Sequence, residues 1–115
     1  MHEYPVTEQI IRIASEKAKD NKAVKVNRIT LVVGEHSGFI GESIQMYFDI
    51  ISRGTICEGA ILEIESIRAR WKCSLCDITY TRQPYSFACP RCGQDGMPTD
   101  IGKEFFIKSI EIEVP

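Results

Sequence analysis

Two pairs of cysteines carry the clearest chemical signal in this chain. Cys73 and Cys76 form one C-x2-C motif, and Cys89 and Cys92 form a second one after twelve intervening residues. Each motif brings two thiolates to one point, and together they supply four soft sulfur donors. Zinc favours the tetrahedral geometry that results, and a site closed by four thiolates leaves no open position for a substrate. The spacing therefore predicts a structural zinc site, with two disulfides or four unrelated thiols as the alternatives.

The first three residues, Met1, His2 and Glu3, form a second candidate metal site. The terminal amine, the deprotonated backbone nitrogen of His2 and its imidazole can chelate one ion in fused rings. Glu3 adds either a carboxylate oxygen or its backbone nitrogen. Such a planar, nitrogen-rich donor set suits Ni(II) or Cu(II) better than zinc. The tripeptide alone is a weak signal, because most histidines near an N-terminus are simply solvated.

Composition and charge narrow the class of protein. Of the 115 residues, 43% are hydrophobic and 26% are charged, which is ordinary for a soluble domain. The net charge of −2 lacks the basic excess of a dedicated nucleic-acid binder. No apolar run approaches the ~20 residues that span a bilayer. We therefore expect a cytoplasmic protein, where reducing conditions keep the four paired cysteines as thiolates and Cys57 is a small, buried, inert side chain.

Hydrophobic periodicity predicts an α+β fold. Apolar residues recur at helical spacing in two segments and alternate with polar residues in three others. The prediction is a three-stranded antiparallel sheet with two helices on one face, plus a zinc-ribbon-like lobe inserted before the last strand. The helices are predicted at residues 5 to about 22 and about 42 to 53, and the strands are predicted up to residue 34, around residues 62–65 and at residues 105–114.

This order of elements divides the chain into two parts. Residues 1–70 together with 99–115 are expected to form an α/β domain, and residues 71–98 the zinc-binding lobe. The lobe has only a small predicted core, formed by Trp71, Tyr80, Tyr85 and Phe87, so metal binding should provide most of its folding free energy. A nucleic-acid stacking role for Trp71 and Tyr80 is the alternative. The basic residues Arg68, Arg70, Lys72 and Arg91 are expected to offset the negative charge of a zinc ion held by four thiolates.

Several segments spread over essentially the whole chain resemble the HypA/HybF family of nickel metallochaperones. The resemblance starts with the opening Met-His-Glu, the order of helices and strands, and the two C-x2-C motifs. Further segments are similar to family motifs: residues 33–38 to V-G-E-x-S-G, residues 57–60 to A-E-G-A with Cys57 replacing Ala, and residues 89–93 and 102–113 to the C-terminal half of the family.

The resemblance implies a nickel metallochaperone that helps insert Ni(II) into NiFe hydrogenase during maturation. It implies a nickel site at Met1, His2 and Glu3, with Ni(II) as transported cargo, and a structural Zn(II) at the four paired cysteines. The implied partners are a hydrogenase large-subunit precursor and a nickel-handling accessory GTPase, with no nucleic acid and no membrane. A homodimer is left open.

Two features depart from the family pattern. Some members carry a His directly after each C-x2-C motif, whereas this chain has Asp77 and Gly93 there. Behaviour that depends on those histidines is therefore not implied for this chain. His36 is extra relative to the usual motif, and a surface or capping His is the prediction. Glu35 and Glu42 are expected at a turn and a helix start rather than as nickel donors.

Two other functions are compatible with a four-cysteine site. A zinc-ribbon nucleic-acid-binding or transcription-type module would need a basic face, which the acidic balance disfavours. A rubredoxin-like iron electron carrier is disfavoured by the missing Gly after Cys76 and by the large α/β part. An enzyme is not expected, because the chain has no recognisable nucleophile–base group and a closed four-thiolate site cannot activate water.

Overall fold

Residues 3–115 form two helices and six strands, and the strands make up one larger and one smaller sheet. The computed structural model describes residues 3–115, and within that range no helix is long and apolar enough to cross a membrane. The elements, in chain order, are α1 (Glu3–Asp20), β1 (Lys25–Gly34), α2 (Gly41–Ile51), β2 (Ile61–Ile67), β3 (Trp71–Cys73), β4 (Ile78–Tyr80), β5 (Met97–Pro98) and β6 (Phe105–Glu113).

The larger sheet has three strands, as predicted, but it is mixed rather than wholly antiparallel. Its order is β2-β1-β6, with β1 antiparallel to β6 and parallel to β2. The prediction of an antiparallel pairing between β1 and β2 was therefore wrong. The physical reason lies in their connection. Helix α2 carries the chain back along the sheet, and such a crossover sets the next strand parallel to the first.

Both helices cover one face of this sheet and bury a common core. Ala14 and Ala18 of α1 are fully buried, and so are Ile44 and, almost entirely, Phe48 of α2. Ile29 of β1 lies in the same cluster. Burying a side chain as large as Phe48 or Ile29 contributes about 1.5–3 kcal/mol. The two apolar helix faces predicted from the sequence are confirmed.

Cys57 lies in this core and contacts α1. Its side chain is fully buried, with the sulfur 3.8 Å from Ser15 Oγ and 3.9 Å from the carbonyl oxygen of Ile11. Burial raises the pKa of the Cys57 thiol. The thiol is therefore held in its neutral form, as expected for an inert core residue.

The start of α1 differs from the prediction. Helix α1 already includes Glu3, two residues before Pro5, so Glu3 belongs to the helix instead of lying outside it. Pro5 falls in the first turn, where backbone N–H groups have no acceptor within the helix and a proline is tolerated. Glu3 is only 6% exposed. The backbone N–H of Ile40, just before α2, donates to its Oε2 at 3.2 Å.

The other face of the sheet has no helix on it and carries ion pairs. Arg28 in the central strand contacts Glu63 of β2 at 3.0 Å and Glu111 of β6 at 2.8 Å, and Lys108 contacts Glu65 at 3.1 Å. These pairs are solvent-exposed, and each contributes at most about 1 kcal/mol. These ion pairs account for the charged residues that alternate with apolar ones along β2 and β6.

The predicted zinc-ribbon-like lobe contains the smaller sheet. Its order is β4-β3-β5, and both pairings are antiparallel. Trp71 pairs with Tyr80 and with Pro98, so one end of β3 lies between the other two strands. The lobe is therefore a small three-stranded sheet rather than a loop held only by its cysteines.

A tight joint connects the two sheets. Residue 34 ends β1, and a Cβ placed on Gly34 would lie 2.2 Å from the carbonyl oxygen of Gly102. The backbone N–H of His36 donates to that same oxygen at 2.6 Å. Glu35 Oε1 accepts the N–H of Ala69 at 2.8 Å. Three separate segments of the chain thus meet where the lobe leaves the larger sheet.

One methyl group added at Gly102 is expected to destabilise the fold, because the joint is tightly packed there. Its φ is +109°, and a Cβ there would lie 2.6 Å from Ala69 Cα. Gly54, with φ of +78° and no atom within 4 Å of the point where a Cβ would lie, offers the matched control. We expect Gly102→Ala to lower the free energy of unfolding by at least about 2 kcal/mol more than Gly54→Ala, measured by urea unfolding. Equal losses would show that the joint is not tightly packed.

Candidate metal centre

The four paired cysteines are brought together by two turns of the lobe. Cys73 is the last residue of β3, and Cys76 lies in the turn that leads into β4. Cys89 and Cys92 lie in a second turn, closed by a bridge between Ala88 and Asp95. The sequence places the turns twelve residues apart, and the small sheet sets them face to face.

The geometry of the sulfur atoms fits a zinc ion. All four Sγ atoms lie within 4.8 Å of one another, and those of Cys73 and Cys92 are 3.6 Å apart. Zn–S bonds of about 2.3 Å in a tetrahedron require sulfur–sulfur distances of about 3.8 Å. No cysteine pair is joined as a disulfide. The four-cysteine cluster thus suits a closed, structural zinc site.

The two turns share the same backbone arrangement. The N–H of Asp77 donates to the carbonyl of Cys73 at 2.8 Å, and the N–H of Gly93 donates to that of Cys89 at 2.9 Å. Asp77 has φ of +54° and Gly93 has φ of +82°. Asp tolerates this left-handed region better than most side chains do. Asp77 therefore takes the place of the glycine that the first motif lacks.

Backbone N–H groups also point at the sulfurs. The N–H of Cys76 lies 3.4 Å from Cys73 Sγ, and the N–H of Arg91 lies 3.4 Å from Cys89 Sγ. The first of these hydrogen bonds lowers the pKa of Cys73 to about 7, whereas burial raises the pKa of Cys76 to about 12. Near neutral pH, Cys73 is therefore the first of the two to offer a thiolate to an incoming ion.

Trp71 and Tyr80 pack beside the cysteines, as predicted, whereas Phe87 is 46% exposed and lies outside this core. The rings of Trp71 and Phe87 are 4.8 Å apart, and the Arg82 guanidinium lies 5.1 Å from the Phe87 ring. The hydroxyl of buried Tyr80 donates to the carbonyl of Phe87 at 2.6 Å. Tyr85, which the sequence also suggested for this core, is instead fully exposed. The prediction for Tyr85 was wrong.

Of the three candidate nickel residues, Met1 and His2 lie outside the described residues. Glu3 is buried at the start of α1 and is hydrogen-bonded to Ile40, as described above. His36 is exposed, and its ring meets Trp71 edge-on at 6.3 Å. Among residues 3–115, His36 joins no cluster of potential metal ligands.

Sequence reasoning missed the residues of the joint. Glu35 and Gly102 were assigned to turns or to a family motif, whereas the fold uses them to hold the lobe against the larger sheet. Glu104 adds to this, since its Oε1 accepts the N–H of Gly102 at 2.8 Å. The sequence signal that could have pointed to the joint was a glycine closely followed by a glutamate in two distant segments, at residues 34–35 and 102–104.

The fold and the site together define a small α+β metal-binding protein with a four-thiolate lobe. A family model described as hydrogenase/urease nickel incorporation, metallochaperone, HypA matches residues 1–112. The chain belongs to this HypA family, which makes it a nickel metallochaperone of hydrogenase maturation. The four-cysteine cluster fits a structural zinc site in such a protein.

Individual relatives agree with the family model. A hydrogenase maturation factor HypA from Caldanaerobacter subterraneus is 42% identical over 98% of this chain and all of its own length. One from Geobacter metallireducens is 33% identical with the same coverage. The solution structure of the nickel metallochaperone HypA from Helicobacter pylori is similar with a TM-score of 0.64 and 25% identity over 98% of each chain.

We expect the loss of one thiolate from the metal centre to disorder the lobe and leave the larger sheet and the helices folded. Cys73→Ser removes a ligand that a closed tetrahedral site cannot replace, so we expect zinc loss and disorder of residues 71–98. The larger sheet and both helices should keep their NMR signals, because their core contains none of the four ligands. Cys57→Ser, at the fifth cysteine, is the control and should retain zinc. Tightly bound zinc in Cys73→Ser would contradict the four-cysteine site.

Proposed function

We propose that the chain carries Ni(II) at its N-terminus, with Met1 as the first residue, and delivers it to a hydrogenase precursor. The ligands in this proposal are the terminal amine of Met1, the backbone and imidazole nitrogens of His2, and Glu3. The observation that supports this location of the nickel site is the position of Glu3 in α1. Because that residue is fixed in α1, the two residues before it are covalently attached to a fixed point of the fold.

The contacts of Glu3 support its backbone nitrogen, rather than its carboxylate, as the fourth donor. The carboxylate is buried and accepts the N–H of Ile40, and the backbone carbonyl accepts a hydrogen bond from the Thr7 hydroxyl. With the Glu3 nitrogen, the Met1 amine and the two His2 nitrogens give four nitrogen donors, which complete the plane that Ni(II) favours.

Delivery then occurs by ligand exchange. A partner offers donors one at a time while the amine and the imidazole of the terminal residues dissociate, and the rest of the fold need not rearrange. The partners we propose are the hydrogenase large-subunit precursor and a nickel-handling accessory GTPase. The protein acts without catalysing a reaction of its own.

We propose that the two sheets belong to two parts of the chain with different functions. Residues 1–70 and 99–115 form the nickel-binding domain, and residues 71–98 form a lobe in which Cys73, Cys76, Cys89 and Cys92 hold zinc. The closed site of the lobe suits a scaffold, because four thiolates leave no position for exchange. Five unpaired thiols suit a reducing compartment, so we place the protein in the cytoplasm.

Blocking of the N-terminal amine tests the proposed nickel site. An acetyl group on Met1 converts the amine into an amide and breaks the first chelate ring without adding a new amine, while every residue of the fold remains. Nickel affinity, measured by calorimetry on untagged protein, should fall at least about tenfold, which corresponds to about 1.4 kcal/mol. His2→Ala should abolish specific binding and leave zinc content unchanged. If both proteins bind nickel as the parent does, the site lies elsewhere and His36 is the next candidate.

Glu3→Gln tests which atom of residue 3 binds nickel. The amide oxygen of Gln can still accept the Ile40 N–H, and the backbone nitrogen is unchanged. We therefore expect nickel affinity within about threefold of the parent, a difference below about 1 kcal/mol. Thr7→Val, which keeps the shape but removes the hydroxyl contact to the Glu3 carbonyl, controls for movement of the first turn. A loss of tenfold or more in Glu3→Gln alone would make the carboxylate a ligand.

A further inference from the structure

Three basic residues form a stripe on the segment that enters the lobe. Arg68, Arg70 and Lys72 alternate with Ala69 and Trp71 along the chain. Ala69 is 4% exposed, whereas Arg68 and Lys72 are exposed and Arg70 is half-buried. In an extended segment, alternate side chains point to the same side at intervals of about 6.6 Å. We call these three side chains the basic stripe.

Hydrogen bonds on both sides hold the backbone of Arg70 and Lys72. The N–H of Arg70 donates to the carbonyl of Ile101 at 3.2 Å, and its own carbonyl accepts the N–H of Thr99 at 3.0 Å. Ala69 donates to Glu35, as described for the joint. Lys72 pairs with Thr79 on one side and with Met97 on the other. The backbone therefore fixes the spacing of Arg70 and Lys72, and the hydrogen bond of Ala69 holds the chain next to Arg68.

The charges of the stripe are largely unpaired within the chain. Lys72 forms one ion pair, at 3.2 Å with Asp77, whose side chain is 84% exposed. In the described residues neither Arg68 nor Arg70 lies within ion-pairing distance of a carboxylate. Arg70 Nη2 instead donates to the carbonyl and hydroxyl of Thr79, at 3.2 and 3.1 Å. The guanidinium of Arg70 is thus positioned without being neutralised.

The stripe also stands out against the charge of the whole chain. Residues 68–98 contain five basic and two acidic side chains, whereas the chain as a whole has 14 basic and 16 acidic ones. Met97, which is 70% exposed, adds an apolar contact beside Lys72. A locally positive, partly apolar strip on an acidic protein is complementary to an acidic peptide.

We propose that the basic stripe docks an extended acidic segment of a partner protein, with carboxylates at alternate positions. Such a segment repeats at the same interval as the stripe, so each cation meets one carboxylate, and arginine binds carboxylates in bidentate fashion. Contacts of this kind give orientation and faster association more than raw affinity. The proposal does not depend on the nickel ligands.

A nucleic-acid strand is the competing occupant, and the placement of Trp71 disfavours it. Single-strand binding combines cations with aromatic rings on which bases stack. Trp71 alternates with the stripe and packs against Phe87 and His36 instead. The acidic remainder of the chain would repel a polyanion that extended beyond the stripe.

Binding of a model peptide tests the proposal. The probe is a short blocked peptide in which Glu alternates with Ser, and the matched peptide has the same composition with its Glu residues consecutive. Trp71 is the single tryptophan and lies between Arg70 and Lys72, so its fluorescence reports binding. We expect the alternating peptide to bind more tightly than its isomer, and its affinity to fall as salt is added.

Charge removal at the stripe supplies the decisive comparison. The triple variant Arg68→Gln, Arg70→Gln, Lys72→Gln should lose about tenfold in affinity for the alternating peptide. The control Lys17→Gln, Lys19→Gln, Lys25→Gln removes the same charge from exposed sites on the larger domain and should bind as the parent does. If the triple variant fails to retain zinc, Arg68→Gln alone, outside the small sheet, should still lose about twofold.

Three results would overturn the proposal. One is equal affinity of the stripe and control variants for the alternating peptide. Another is equal binding of the two peptides, since the stripe would then be a patch without defined spacing. The third is tighter binding of a single-stranded oligonucleotide with the same number of negative charges, which would assign the stripe to phosphates.

Discussion

The structure depends most on the close backbone contact between Gly34 and Gly102. A Cβ on Gly34 would overlap the carbonyl group of Gly102, and a Cβ on Gly102 would overlap Ala69. The contact ends β1 and fixes the chain that returns from the lobe to β6. The hydrogen bond from Ala69 to Glu35 secures the outgoing chain at the same place. The direction in which the lobe leaves the larger sheet is therefore set by main-chain geometry and one carboxylate, rather than by a large apolar interface.

Periodicity predicted the helices and strands because each pattern depends on neighbours along the chain. The apolar faces of α1 and α2, and the alternation in β6, follow from what those residues must bury. Strand direction is not a local property. The parallel pairing of β1 with β2 was predictable from the intervening helix, and the antiparallel prediction was wrong because it gave too little weight to that connection.

The four-cysteine site was predictable because the spacing of the cysteines along the chain is enough to identify its ligands. Two C-x2-C turns specify four thiolates whatever the rest of the chain does. The joint was not predictable in this way, since Glu35 and Ala69 are 34 residues apart and show no periodic signal. The burial of Glu3 was missed for the same reason, because its partner Ile40 lies 37 residues away. An acidic residue two positions before a proline gives no hint of a distant backbone N–H.

The two metal sites differ in the way that their proposed roles require. Exchange of a cargo ion needs ligands that can leave one by one, which two residues attached to a fixed helix end provide. Retention of a structural ion needs ligands that cannot leave separately, and four thiolates tied to two hydrogen-bonded turns provide that. The loop after β1 connects the two regions, because Ile40 binds Glu3 while Glu35 and His36 bind Ala69 and Gly102, which flank the lobe. A partner that is oriented by the lobe is therefore oriented with respect to the start of α1 as well.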